Sequence, residues 1–468
     1  MRPNLLPRGT ERRDLRLGTA VLWIFLSAIA VAAAVFVAMW DLLSTQGLKP
    51  EPRLSADTLF DLVKLSFGVV AGAGALVALV VAYRRQRVDE DGALRESTRL
   101  HTERFTAAVS QLGADSAAVR LGGVHALTGL ADDAPTRKLR QTCIDVLCAY
   151  LRLPYTAETD LPHGDADARH TYLALREVRH TVIRLIRDHL RLWPDHHPDS
   201  WQGYDLDFTG VVFDGGDFAG AVFSGGTVSF KDAMFCGGRV NFDGADFSGS
   251  TADFSGAEFS GGMVCFDEAV FSGGKVRFVD TVFSGGTVSF NAAKFSGSLV
   301  RLSNTVFSGG TVSFNAAEFS GSLVIFTTVV FSSGTISFSR TKVTGGNVTF
   351  KNTEFSGSLV CFRSAVFSGG EVELKYARFS GSTVDFNSAE FSGGRVRFSR
   401  AVFSGGRVDF HGAEFSDSGV DFADAEYTGG RVDFSASAGA MPAGLPAMGS
   451  QPHPDGLTLP HAWLSLTP

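Results

Sequence analysis

Phenylalanine recurs on a beat of twelve. Counting from Phe223 in steps of twelve to position 427, every position is Phe except Val343 and Tyr427. A second series from Phe230 to Phe434 departs from Phe only at Leu302 and Leu374. Val stands two residues before each member of the second series, with Ala252 and Ile336 the exceptions, and Ala or Thr before each member of the first, except at Val329. The chain therefore alternates Ala-x-Phe and Val-x-Phe units. In extended backbone residues i and i+2 point the same way, so each unit sends one small or branched side chain and one large one inward and leaves the residue between them outside. No 12-residue unit can bury its own ring, whereas coils laid on one another about 4.8 Å apart bury a continuous column.

The repeat also sets the size of a coil. Residues 282–305 and 306–329 are identical at 18 of 24 positions, and the alternation "FSGGTV" then "FSGSLV" returns only after 24. That predicts four sides per coil. Gly-Gly and Gly-Ser pairs, such as Gly225–Gly226 and Gly297–Ser298, fall in the longer gap between units, where a turn is needed and glycine reaches dihedrals closed to other residues. One shorter first coil, in which Phe208, Phe213, Phe218 and Phe223 are spaced by fives, and nine of 24 residues make about ten coils. At ~4.8 Å each the rod is on the order of 48 Å long. Its ends expose unpaired edges and need caps; the helix ending near Trp193 with Trp201, and the final "LTLPHAWLSLTP", are the candidates.

"ADFSG" and "AEFSG" at Ala245–Gly249 and Ala257–Gly261 resemble the pentapeptide-repeat family. The resemblance covers about 205–436. It implies a mainly β fold, a right-handed quadrilateral β-helix with the aromatic or leucine inside; the two-residue insertion in every second unit departs from the family's strict rhythm. The segment "FTAAVSQLGADSAAVRLGGVHALTGLADD" also looks like one that precedes such repeats in membrane-bound bacterial members.

Two stretches upstream are free of charge, 17–40 and 65–83. Each has about the 20 apolar residues that a helix needs to cross the hydrocarbon core. Arg2, Arg8, Arg12, Arg13 and Arg16 precede the first, and Arg84, Arg85 and Arg87 follow the second. An excess of cations marks the cytoplasmic side. The expected organisation is a cytoplasmic segment 1–16, a transmembrane helix 17–40, an external loop 41–64, a second transmembrane helix 65–83, a cytoplasmic helical module 84–200, the β-helix 201–436, and a Pro-rich tail 437–468 that is a candidate partial cap. The expected partners are a lipid bilayer, through 17–40 and 65–83, and a protein, with a homo-oligomer left open. The expected location is the cell membrane, multi-pass, with the β-helix in the cytoplasm.

Little points to chemistry. Five cysteines at 143, 148, 236, 265 and 361 have neither the pairing of a disulfide framework nor the spacing of a zinc site. Six histidines at 163, 170, 180, 189, 196 and 197 read as solvated residues of a polar face. The glycine pairs lack the Lys-Ser/Thr or strand-to-helix setting of a phosphate cradle. No catalytic, metal or cofactor residues are assigned, and the expectation is a scaffold rather than an enzyme. Among outward positions, Thr287/Ser289, Thr311/Ser313 and Thr335/Ser337 stack as hydroxyl rows; Arg407/Asp409 and Arg431/Asp433, with Asp385, form a charged column; and Val282, Val306 and Val330 form an apolar stripe, the candidate docking site.

The resemblance also raises DNA mimicry, by which some members bind type II topoisomerases and protect gyrase. A duplex carries about one charge per 1.7 Å, so a rod of about 48 Å would need roughly 28. Residues 201–437 carry 25 Asp/Glu against 17 Lys/Arg, a difference of −8, with both signs interspersed. A net charge of −7 for the chain also gives no footing for direct nucleic-acid binding. The scaffold is the preferred reading and the DNA mimic the alternative.

Overall fold

The computed structural model describes residues 55–192, 197–416, 419–446 and 455–464, with isolated positions 30, 33, 34, 37 and 41. The chain divides into two units, Met1–Arg99 and Leu100–Pro468. Helix α1 runs unbroken from Ala56 to Leu112, so residues 56–64 of the expected loop, the run 65–83 and the start of the predicted helical module are one helix; no proline follows Tyr83 before Leu112 to break it. In the first unit the outward apolar side chains of α1 are uncovered, with Leu65 and Phe67 at 71% exposure and Leu79 at 68%. Among the described residues no helix is long and apolar enough to cross a membrane. Within 65–83 the side chains of residues 66, 69, 70 and 73 lie outside the description, and 17–40 lies outside it but for the isolated positions.

In the second unit the last turns of α1 pack with α2 (Ala117–Asp132), α3 (Arg137–Leu151) and α4 (Ala166–Leu190). Leu112, Val124, Leu127, Ile144, Leu147, Val182 and Ile186 form their shared core. Thr136 and Asp165 cap α3 and α4, accepting from the Leu139 and Ala168 amides at 3.3 and 2.9 Å, which satisfies donors that a helix start leaves unpaired.

From Leu206 onward the fold is a parallel β-solenoid of about ten turns. Its sheets hold 16, 10 and 11 strands. The largest covers two of the four sides, because strands Lys342–Thr349 and Val366–Glu373 run through the corner that joins them. Through the body of the solenoid rungs pair residues 24 apart, as in Val282↔Val306↔Val330 and Thr287↔Thr311↔Thr335. The first circuit is shorter, with Leu206↔Val228 and Val212↔Met234 pairing at 22 because only one of its four gaps has seven residues.

The core is aromatic and closed to solvent. Phe235 and Phe259 are vertical neighbours, ring centroids 4.6 Å apart and 2° from parallel, and Phe259, Phe283 and Phe307 continue the column at 4.7 and 4.6 Å. Phe230 and Phe242, from different sides, meet at 5.6 Å and 88°. Parallel stacks between coils and edge-on contacts within them are the arrangements that a ring quadrupole favours.

Both ends are covered. At the start, the Leu190 carbonyl accepts from the Val222 amide at 3.2 Å, and Trp201, fully buried, lies 4.3 Å from the His189 ring. At the finish, Leu457–Thr458 pairs with Arg431–Asp433. Trp463 there sits 5.7 Å from both Phe415 and Phe434 and donates to the Gly439 carbonyl at 2.8 Å.

Candidate functional site

With the inside filled by rings, only the outer wall and its corners are free for function. The corners are of two kinds. After each Val-x-Phe unit the chain makes a four-residue turn, for example with the Ala233 amide donating to the Phe230 carbonyl at 3.2 Å. The third residue of each such turn has positive φ, the mark of a type II turn. At fifteen of these eighteen corners it is not glycine, from Asp232 (φ 53°) through Thr328 (59°) and Tyr376 (61°) to Ala436 (58°). Sequence reasoning looked for turns only at the glycine pairs and missed this one. Asp, Asn or Gly at positions 232, 244, 256, 280, 304, 352, 412 and 424 was the available signal.

The other corners carry the glycines, for a reason beyond dihedral freedom. A Cβ on Gly310 (φ +69°) would lie 2.6 Å from the Gly286 oxygen one coil away. Where Ser replaces the second glycine it is buried: Ser298 pairs with Ser322 and Ser358 with Ser382 across coils, hydroxyl to hydroxyl at 3.3 and 3.2 Å, and Ser250 donates to the Phe247 carbonyl at 3.2 Å. The two Gly-Ser pairs at 298/322 and 358/382 stand in neighbouring coils, so those hydroxyls find each other.

Of the two hydroxyl rows, the serines are drawn into the wall. Ser289 and Ser313 are buried, and Ser313 and Ser337 donate to the Asn291 and Asn315 side-chain oxygens at 2.5 Å. Asn291 is tied in turn to Asp267, whose Oδ1 accepts the Asn291 amide at 2.9 Å. This corner ladder joins successive coils; Thr311 is exposed, and Thr287, Thr335 and Ser337 are half-buried.

The charged column also differs from expectation. Asp385, Asp409 and Asp433 are in register and nearly buried, with Asp433 at 3% exposure. Each folds back to accept the amide two residues on, at 2.8, 3.0 and 2.9 Å, while Arg363, Arg407 and Arg431 close over them at 2.7, 2.7 and 2.9 Å. Burial works to raise Asp433, but the Ser435 hydroxyl and amide and the Arg431 guanidinium outweigh it and hold the carboxyl below its usual range.

The histidines need a correction. His189 is not solvated: it stacks on Trp201 and its Nε2 lies 3.1 Å from Asp132 Oδ2. Burial opposes its charge, but Asp132 and the Leu185 carbonyl prevail and raise its pKa. Cys143 and Cys148 are buried, their thiols pushed up to about 11 and about 12 chiefly by burial. Among the described residues no His, Cys, Asp and Glu are grouped to hold a metal.

The valine stripe lies on the side formed by the ten-stranded sheet. Val282, Val306 and Val330 are stacked in register and partly exposed, bracketed by Glu258 before and Glu354 after. A feature not read from the sequence adjoins it. Leu299 pairs with Leu323 and Arg301 with Ile325 on the preceding side, and Leu323 is 41% exposed. Ile325 and Val330 are separated only by the turn at Thr328. The outward apolar residues thus wrap one corner in the middle of the solenoid. The signal lay in the same 24-residue offset, which stacks "SLVR" on "SLVI".

No curated protein and no solved structure matches the chain. The family model for pentapeptide repeats, nine copies, matches residues 208–258 and 362–413, at the start and toward the end of the parallel coils described above. The chain is a pentapeptide-repeat protein.

Proposed function

We propose that this chain is a non-enzymatic scaffold, a right-handed quadrilateral rod that offers one face to a protein partner and is tethered to a membrane by its apolar N-terminal stretches. The observation that carries the reading is the in-register row Val282–Val306–Val330, continued around one corner by Leu299, Leu323 and Ile325. Outward apolar side chains in adjoining rows contribute nothing to the ring core, and an apolar patch of this kind on a polar surface is a mark of association. The uncovered apolar side chains of α1 support the tether, as does the charge-free run 17–40. The mixed signs of the outer wall, with Arg277, Arg301, Arg395 and Arg397 among its carboxylates, weigh against mimicry of DNA.

The test is site-specific photo-crosslinking in native membranes, with the reactive group at Val306. A single crosslinked partner is expected. It should vanish in the double variant Val330→Asp/Leu323→Asp while the thermal midpoint of the rod stays unchanged. Equal yields from Val306 and from Arg397 on another part of the wall would defeat the docking assignment. Full-length protein that washes off membranes in alkaline carbonate would defeat the tether.

A further inference from the structure

Helix α4 lies against the first two coils, and the seam is a groove of about 540 Å³. Gly215 and Gly216 form its floor. Their φ values are +138° and +148°, and Cβ atoms there would press on His180 at 3.2 Å and Ile183 at 3.0 Å, so the glycines let the helix approach. Arg176, His180, Arg184 and Arg187 recur every three or four residues along α4 and so share a face; Arg239 comes from the second coil. Four guanidinium groups thus meet two carboxylates in the lining, Glu177 and Asp217.

Their internal partners are incomplete. Asp214, behind the groove, accepts the Tyr155 and Tyr172 hydroxyls at 2.7 Å each. Arg176 Nε and His180 Nε2 reach it only at 3.8 and 3.6 Å, which is ion-pair but not hydrogen-bond distance, and both atoms are buried without a hydrogen-bond partner. Arg187 is held by Asp188 and Asp217, and Arg239 by Asp243. Arg184 is exposed and makes no hydrogen bond or ion pair among the described residues.

We propose that this groove binds a compact polyanion carrying at least two phosphoryl groups. Guanidinium groups match phosphate oxygens two bonds at a time, and buried donors without acceptors gain most from a ligand rich in them. The volume exceeds one phosphate. No Phe, Tyr or Trp lines the groove, so recognition rests chiefly on charge and hydrogen bonds. The site is separate from the valine face and does not depend on it.

A free polyphosphate and a phosphorylated lipid headgroup offer the same chemistry. Titration calorimetry on the full chain in neutral detergent, with inorganic tripolyphosphate in one arm and soluble inositol trisphosphate in the other, distinguishes them by which binds more tightly. At least one should bind in the micromolar range, weakening as salt rises. Arg184→Ala should weaken it by about tenfold or more, whereas Arg277→Ala, an outward arginine elsewhere, should leave it unchanged. Arg184 is exposed, so its loss does not threaten the fold, and an unchanged thermal midpoint checks this. The proposal fails if neither probe binds below about 1 mM, if Arg184→Ala and Arg277→Ala bind alike, or if citrate matches both phosphates.

Discussion

Alanine in place of glycine at 297, 309 and 310 separates the two reasons for glycine at these corners. Gly297 has φ +60° and open space where a Cβ would go; Gly309 lacks positive φ, but its Cβ would run into the Ser284 carbonyl; Gly310 has both problems, with φ +69° and the Gly286 oxygen 2.6 Å from the Cβ. An L-residue held in the left-handed region costs about 1–2 kcal/mol, partly offset by about 0.4–1 kcal/mol from a less flexible unfolded chain. Gly297→Ala should therefore cost roughly 1 kcal/mol or less. At Gly309 and Gly310 the atom in the way is backbone of the neighbouring coil, which cannot rotate aside, so the coils must separate locally. Overpacking of that kind costs about 1–3 kcal/mol. The expected order is Gly310→Ala worst, at roughly 2–4 kcal/mol, then Gly309→Ala, then Gly297→Ala. Urea unfolding followed by circular dichroism measures it, with the slope showing whether the solenoid still unfolds as one unit. If Gly297→Ala costs as much as Gly310→Ala, dihedral strain alone explains the glycines and the argument from coil contact is wrong.

Thr328 is β-branched yet sits at φ 59°, between Asn304 and Asn352 one coil to either side. Thr328→Asn should raise stability by about 1 kcal/mol, and a lower thermal midpoint would contradict the turn assignment. Ser322→Ala removes the hydroxyl that pairs with buried Ser298 and accepts its amide at 3.4 Å; a loss of about 1–3 kcal/mol by urea unfolding is expected, and a neutral result would mean the pair contributes nothing. Asp214 is held near a pKa of about 2, because His180 and the Tyr155 and Tyr172 hydroxyls overcome the burial that would raise it. A depressed carboxylate stabilises the fold above its unfolded value near 4, and this contribution, on the order of 2 kcal/mol, disappears as pH falls toward 2. Tyr172→Phe should flatten that acid limb, and an unchanged stability profile between pH 4 and 2 would refute the assignment. His189 has the opposite sign: its raised pKa makes its contribution complete below about 6.5 and lost as pH rises through the folded value, so His189→Gln should remove a loss of stability on the alkaline side.

The parts of this fold legible in the sequence are those decided by burial. A ring must leave water wherever it stands, so the spacing of Phe235, Phe259 and Phe283 carries the column directly, and the alternation within Val-x-Phe carries the side that faces in. What could not be read depends on backbone that bends toward a polar partner. Asp433 occupies an outward position, and by pattern alone it is a surface charge; it is buried because its carboxylate turns back onto the Ser435 amide. His189 looks like one more polar residue on a helix until Trp201, twelve positions on, closes over it. The same distinction bears on function. Inward positions are constrained nearly identically in every coil, so they say that the rod exists and nothing about its use. Outward positions are free to differ from coil to coil, and among the departures from a polar wall Leu323 and Ile325 adjoin Val306 and Val330 at one corner, while Met263 and Leu359 stand singly on another side. On a solenoid each coil is supported mainly by its neighbours, and an exposed leucine adds little to that support. Its cost in solvation is more naturally offset by a partner than by the fold, and that is why the middle of the rod, not its capped ends, is the place to look for one.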